Sequence, residues 1–212
     1  MLKHIYLVRH GESRANATGI REGKDSPLTQ KGEEQADFVA KRFENIPIEI
    51  VLSSHYKRAE QTGSRIAEKS GVPMEVIEGI HEREKPDSIR GKHINDPDVQ
   101  VAMAKFEYSW MHDSSVDSGE HFSEIVERAR NLAEVIKNRP EQHIVISSHG
   151  FFLKLFVAHL LLGEYLTPDM FIKKIAATMR MSNTGITYFT VDDKDKWQLY
   201  AWSDFAHLGV AL

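Results

Sequence analysis

Apolar residues along this chain fall into two alternating patterns, and the alternation predicts the fold. Ile5 to Val8 is a short apolar run that stops at Arg9-His10-Gly11, as a buried strand does on entering a loop. Ile48 to Leu52, Met74 to Ile77 and His143 to Ser147 read the same way. Between these runs, apolar positions recur at helical spacing. Ala36, Val39, Ala40 and Phe43 mark one helix face behind Thr29, a plausible N-cap, and Pro47 ends it. Ala59, Thr62, Gly63, Ile66 and Ala67 mark a second face, broken by Gly71-Val72-Pro73. Val99, Met103, Phe106 and Trp110 mark a third, opened by Asp96-Pro97. Ile125, Ala129, Leu132 and Ile136 mark a fourth, closed by Pro140. Phe151 to Leu162 reads as a buried helix, while residues 11–29 and 112–119 read as loop. Thr184 to Val191 and Trp197 to Trp202 read as two strands of a hairpin joined by a charged turn.

Strands alternating with helices predict an α/β fold, a three-layer sandwich with a mixed, mainly parallel sheet and helices on both faces. The terminal hairpin is what makes the sheet mixed. No linker divides the chain, so residues 1–212 are expected to form one domain. Residues 83–119 fall between core elements and are expected to form a helical cap or lid insertion.

Composition narrows the chemistry. The 212 residues contain no cysteine, which excludes disulfides, Cys-based zinc sites, iron–sulfur clusters and thiol catalysis. A net charge of −4 gives no general attraction to nucleic acid or to acidic membranes, so any anion site must be built locally. The most apolar stretch, Phe151 to Gly163, is too short and too polar to span a bilayer. With no targeting pattern at Met1 to Arg9, a cytoplasmic location is expected. The oligomeric state is left open by the sequence.

Ligands in open α/β sheets bind at the carboxyl ends of strands. Here those ends deliver Arg9, His10, Gly11 and Glu12, then Ser53, Ser54 and Arg58, then His81, Glu82 and Arg83, then Ser148, His149 and Gly150. Arginines, histidines and a carboxylate thus converge from four separate segments, a set suited to phosphoryl transfer. Arginine offers forked, permanently charged donors to phosphoryl oxygens. Neighbouring arginines favour the neutral imidazole, which can attack phosphorus where imidazolium cannot. A carboxylic acid can protonate the leaving alkoxide and then, as carboxylate, activate water. No HExxH, HxH or acidic cluster offers ligand spacing, so His93, His112 and His121 read as scattered polar residues and no metal or other cofactor is expected.

The chain resembles the histidine phosphatase superfamily, which includes the cofactor-dependent phosphoglycerate mutases. The resemblance rests on LVRHGES at Leu7 to Ser13, Asn16, SPLTQKGEEQA at Ser26 to Ala36, VLSSHYKRAEQT at Val51 to Thr62, Glu82-Arg83, and VISSHG at Val145 to Gly150, in the family's order. It implies that His10 is the nucleophile and forms a phosphohistidine, that Arg9 and Arg58 hold phosphoryl oxygens, and that His149 completes the pocket. It implies further that Glu82 is the proton donor and then the base, with Asn16 in the phosphate pocket and Gly11 allowing close backbone approach. Arg83 becomes a candidate substrate-binding residue. Arg83, Lys85, Arg90 and Lys92 crowd the segment near the acid and could hold a second anionic group or form a solvated loop.

Two departures bear on substrate. His55 stands where many members have proline, and Glu84-Lys85-Pro86 replaces an aromatic residue and a glycine. The second weakens a mutase reading and leaves Glu84 as a rival to Glu82. The expected function is hydrolysis of a small phosphorylated substrate, with a phosphoglycerate-type mutase or a non-catalytic phosphate-binding module as alternatives. Thr62 reads as helix packing.

Overall fold

Ile5, Leu7, Tyr6 and Val8 are all buried, so the first strand must lie inside a sheet covered on both faces. The computed structural model describes residues 2–112 and 118–209. Residues 113–117, on which most of the expected 112–119 loop falls, lie outside the described residues. The strands are β1 (Lys3–Arg9), β2 (Ile50–Ser53), β3 (Met74–Val76), β4 (His143–Ser148), β5 (Ile186–Val191) and β6 (Trp197–Asp204). They form one sheet in the order β3-β2-β4-β1-β5-β6. The first four in that order run parallel, while β5 and β6 continue antiparallel from β1. The sheet is therefore mixed and mainly parallel, as the periodicity predicts.

Helices α1 (Arg14–Thr18), α2 (Gln30–Arg42), α3 (Lys57–Ser70), α4 (Pro97–His112), α5 (Phe122–Asn138) and α6 (Gly150–Leu162) connect and cover it. Alternation along each strand divides the core in two. Ile5, Leu7, Ile50, Leu52, Ile144 and Ile146 pack with Ile125 and Leu132 of α5 and Phe152 and Phe156 of α6. Tyr6, Val8, Val51 and Val145 pack on the other side with Val39 of α2, with Phe43 at the end of that helix, and with Ile66 of α3. Each such side chain contributes about 1.5–3 kcal/mol on burial. Both faces being covered makes three layers, and it leaves only the strand ends for chemistry.

Local signals account for most boundaries. Thr29 caps α2 by accepting the Gly32 N–H. Gly71, in the left-handed region, ends α3. Within the predicted 11–29 loop, Ser13 and Asn16 form a reciprocal capping box that nucleates α1. That helix has five residues, too few to show a period. β5 begins at Ile186 and not at Thr184, because Thr184 has φ 55° and cannot continue a strand. In the 83–119 segment, α4 buries Val99, Phe106 and Trp110 as its spacing predicts. A single helical turn at Pro168–Met170 and a π-helical turn at Phe171–Ala176 had no readable period, yet Phe171 is fully buried. No helix among the described residues is long and apolar enough to cross a membrane.

The turn after β1 is locked onto α2 by two glycines. A Cβ on Gly11 would lie 2.4 Å from the Gly32 carbonyl oxygen, and one on Gly32 would lie 2.0 Å from the Glu12 carbonyl oxygen. Backbone therefore rests on backbone where the chain leaves the sheet. Gly32→Ala is expected to destabilise the protein by about 1–3 kcal/mol in denaturant unfolding, the usual cost of forced overpacking. Gly23→Ala, where a Cβ would meet nothing within 4 Å, should stay within about 0.5 kcal/mol of the parent. Equal stabilities for the two variants would contradict the packing argument.

Candidate active site

β1 and β4 run parallel with Arg9 opposite Ser148, so the next residues, His10 and His149, leave the sheet side by side. Their ring centroids are 5.1 Å apart. β2, on the far side of β4, ends at Ser53, and α3 starts four residues later. Its first turn carries Arg58 back over the same edge.

The protonation of His10 follows from its contacts. Nδ1 lies 2.7 Å from the Gly11 carbonyl oxygen, which can only accept. Arg58 Nε donates to Nε2 across 3.2 Å, and a guanidinium can only donate. Both contacts select the tautomer with the proton on Nδ1 and the lone pair on Nε2. Burial, then Arg58, His149 and Arg9, push the imidazole well below the ordinary histidine range. His10 is thus a neutral base whose free lone pair is covered by a cation.

His149 is fully buried, with Nε2 2.9 Å from Ser54 Oγ and no partner for Nδ1 among the described residues. Burial, followed by Arg58, holds it neutral as well. Arg9 donates from Nη1 to the Met181 carbonyl at 2.5 Å, while its buried Nε has no partner among the described residues. A Cβ on Gly150 would come within 3.2 Å of that Nε, so the glycine makes room for the guanidinium. Arg58 also donates from Nη1 to the Gly23 carbonyl at 3.2 Å and stands 5.0 Å from the Tyr56 ring centroid.

Glu82 sits on the N-terminus of α6. Its carboxylate accepts from Phe151 N at 3.3 Å and Phe152 N at 3.2 Å, and from Arg83 N at 3.1 Å. Burial raises its pKa, but Lys85, Arg58 and Arg83 outweigh that and hold it below the ordinary carboxylate range. A cleft of about 690 Å³ opens here, lined by Arg21, Tyr56, Arg58, Glu82, Arg83 and Lys85 among others. Arg83 pairs with Glu107 at 3.1 Å and lies 3.7 Å from the Phe151 ring centroid. Its Nε and Nη1, like Arg21 Nε, are buried without a partner among the described residues. Burial, then Arg83, lowers the Lys85 amine to about 7.

The structure thus brings together Arg9, His10, Arg58, Glu82 and His149, with Arg83 on the cleft wall. Glu84, the rival carboxylate, reaches the rim with its side chain 65% exposed. Asn16 is exposed and, like Arg9, His10 and His149, is not among the residues lining the cleft. Its Oδ1 accepts from Ser13 N in the capping box and, at 3.4 Å, from Asn183 Nδ2. Gly11 donates from N to Thr62 Oγ1 at 3.1 Å, and that hydroxyl donates to the Arg58 carbonyl at 2.8 Å. Thr62 therefore ties the loop of His10 to the helix of Arg58, beyond the packing its spacing suggested. Arg21, Tyr56 and Asn183, which donates to the His10 carbonyl at 2.9 Å, carried no signal in the sequence. No group of three or more His, Asp or Glu among the described residues could hold a metal ion.

A neutral imidazole flanked by arginines, with a carboxylate on the wall of the adjoining cleft, defines an enzyme of phosphoryl transfer. The model of the histidine phosphatase superfamily (branch 1) matches residues 5–204, and the chain belongs to that superfamily. Its relatives in that superfamily include proteins named as phosphatases and as mutases. It is 29% identical over 203 residues to the "Putative phosphoserine phosphatase 2" of Hydrogenobacter thermophilus, covering 94% of this chain and 95% of the other. It is 31% identical over 166 residues to the "Probable phosphoglycerate mutase GpmB" of Erwinia tasmaniensis, covering 74% of each. The crystal structure of a phosphoserine phosphatase mutant from Entamoeba histolytica with phosphoserine superposes with a TM-score of 0.76 at 27% identity, covering 97% and 99% of the two chains.

Thr62→Val keeps the shape but strands the buried Gly11 N–H, a penalty of about 1–3 kcal/mol. We expect kcat on p-nitrophenyl phosphate to fall about tenfold, the equivalent of about 1.4 kcal/mol in the barrier. An unchanged kcat would show that this hydrogen bond does not hold the loop of His10.

Proposed function

We propose that the protein hydrolyses small phosphomonoesters through a phosphohistidine on His10 Nε2. The observation that carries this reading is the fixed tautomer, with its lone pair beside Arg58. His10 Nε2 attacks phosphorus, the ester P–O bond breaks, and the electron pair goes to the leaving oxygen. The Nδ1 proton, held by the Gly11 carbonyl, spreads the positive charge that develops on the ring. Arg9, Arg58 and His149 hold the nonbridging oxygens. Glu82 passes a proton to the leaving oxygen. As carboxylate it then takes a proton from water, whose oxygen attacks phosphorus and returns the P–N electron pair to Nε2. Asn16 adjoins this pocket through Asn183, which donates to the His10 carbonyl, and Glu84 stands at the rim. Residues 83–119 act as the cap over the leaving group.

Arg21, Arg83 and Lys85 favour an ester whose leaving group carries a second negative charge. The unpartnered nitrogens of Arg21 and Arg83 suit the carboxylate that phosphoserine would present, the molecule named with one structural neighbour. Small and charged describes the substrate class this cleft supports; a cytoplasmic location suits such metabolites.

The resting Glu82 is ionised, so the proton must arrive with the ester monoanion, whose second pKa is about 6. His10, with its lowered pKa, stays neutral and competent on the acid side. Activity on an alkyl phosphate should therefore persist near pH 5 and decline as pH rises through about 6–7. The test is hydrolysis of p-nitrophenyl phosphate and 3-phosphoglycerate in EDTA, beside His10→Ala, with phosphoglycerate isomerisation monitored. Turnover in EDTA, lost in the variant and without isomerisation, is the expected result. A strict Mg²⁺ requirement, full activity in His10→Ala, or isomerisation outpacing hydrolysis would each overturn the reading.

A further inference from the structure

Glu82 is held by more than its own contacts. The segment that carries it, residues 79–84, has no regular structure, yet its backbone is gripped from α5. Arg128 donates from Nη1 to the Gly79 carbonyl at 2.8 Å and to the His81 carbonyl at 2.9 Å. The same guanidinium meets Glu120 in a two-point pair, Nε to Oε1 at 2.6 Å and Nη2 to Oε2 at 2.7 Å. Glu120 Oε2 in turn accepts from Glu84 N at 3.2 Å, and Glu120 N donates to the Glu84 carbonyl at 3.1 Å. Trp110 Nε1 fastens the Glu120 carbonyl at 2.9 Å. Both side chains of the pair are nearly buried, at 13% and 9% exposure.

We propose that Arg128 and Glu120 are positioning residues that set where the Glu82 carboxylate stands relative to the leaving group, an inference that rests on the role of Glu82 given above. Their contacts bracket Glu82 on both sides: Gly79 and His81 before it, Glu84 after it. Arg128 also lies 4.8 Å from the Phe152 ring centroid, and Phe152 N is one of the donors to Glu82. One guanidinium thus registers the acid-bearing segment against the helix end that receives the carboxylate. Glu84 and Glu120 also face each other across the neck of the 85–119 segment, so the same pair ties the base of that segment to the acid. A buried two-point pair is costly to desolvate and adds little net stability over an apolar pair. Its geometric precision, two forks aimed at three backbone groups, is what an apolar pair could not supply.

Removing either charge outright strands the other in the interior, so the test uses the charge-preserving Arg128→Lys and Glu120→Asp. Leaving groups separate positioning from stability in kcat/KM, which reports only the steps up to phosphorylation of His10, where a displaced acid matters if the leaving oxygen needs a proton. For glycerol 3-phosphate, with an alkoxide leaving group, kcat/KM should fall at least about tenfold. For p-nitrophenyl phosphate, whose leaving group departs unprotonated, kcat/KM should fall no more than about threefold, while kcat on both substrates also carries the shared water-activation step. Glu82→Gln should show the same selectivity, larger. Amide exchange supplies a second readout that needs no turnover. The Phe151 and Phe152 N–H groups, which donate to Glu82, should exchange faster in both variants while those of Ile5 and Leu7 in β1 do not. Equal losses on both substrates, or unchanged exchange at Phe151 and Phe152, would overturn the proposal. If Glu82→Gln alone lacks leaving-group selectivity, its role as the acid fails, and the exchange result still decides whether the pair places it.

Discussion

Parallel pairing of β1 with β4 is the constraint on which the site depends. It requires a buried central sheet, since parallel strands are stable only when both faces are covered. The two apolar cores supply that cover. The register then sends His10 and His149 out of the same edge, 5.1 Å apart, into the gap where α3 and α6 begin. Each helix start adds one functional group: Arg58 in the first turn of α3, and the Phe151 and Phe152 N–H donors that receive Glu82. A slip of one residue in this register would turn the side chains of β1 to the opposite faces and separate the pair.

Around that edge, electrostatics and hydrogen bonding agree. Arg9 and Arg58 flank the two histidines, which stay neutral because they are buried and because protonating them would add to the repulsion. The nitrogens of Arg9, Arg21 and Arg83 that have no partner among the described residues are buried donors that an anion would satisfy. Such sites trade stability for readiness, since the donors need no rearrangement when charge develops. Glu82 sits in the same field, which is why its carboxyl favours the ionised form before substrate arrives.

Much of this was legible in the chain. Ile5 to Val8 and His143 to Ser147 announce buried strands because continuous apolar runs have few other uses at that length. The residues after them announce a site because strand ends are where such sheets bind ligands. What the sequence hid was long-range hydrogen bonding. Thr62 has the spacing of a packing residue, and only the fold shows that its hydroxyl meets Gly11, 51 positions away. Arg128 lies among the polar positions of a helix whose apolar stripe was read correctly, and its contacts reach back 47 and 49 positions. Helix α1 escaped notice because a five-residue helix held by its cap has no period. Asn16, assigned to the phosphate pocket on resemblance, also takes part in that cap, and Asn183 links its side chain to the His10 carbonyl. Glu82 and Glu84 look alike in sequence. The fold separates them, one on a helix N-terminus and the other at the exposed rim.

The central claim is that His10 Nε2 becomes covalently phosphorylated. The most direct measurement is rapid mixing of the protein with a phosphate-labelled ester, followed by quenching in alkali and mapping of the labelled peptide. The account predicts label on His10, as an alkali-stable and acid-labile phosphoramidate bonded through Nε2, that forms and decays within one turnover. Hydrolysis without any trapped label, or label on Nδ1 or on another residue, would contradict it.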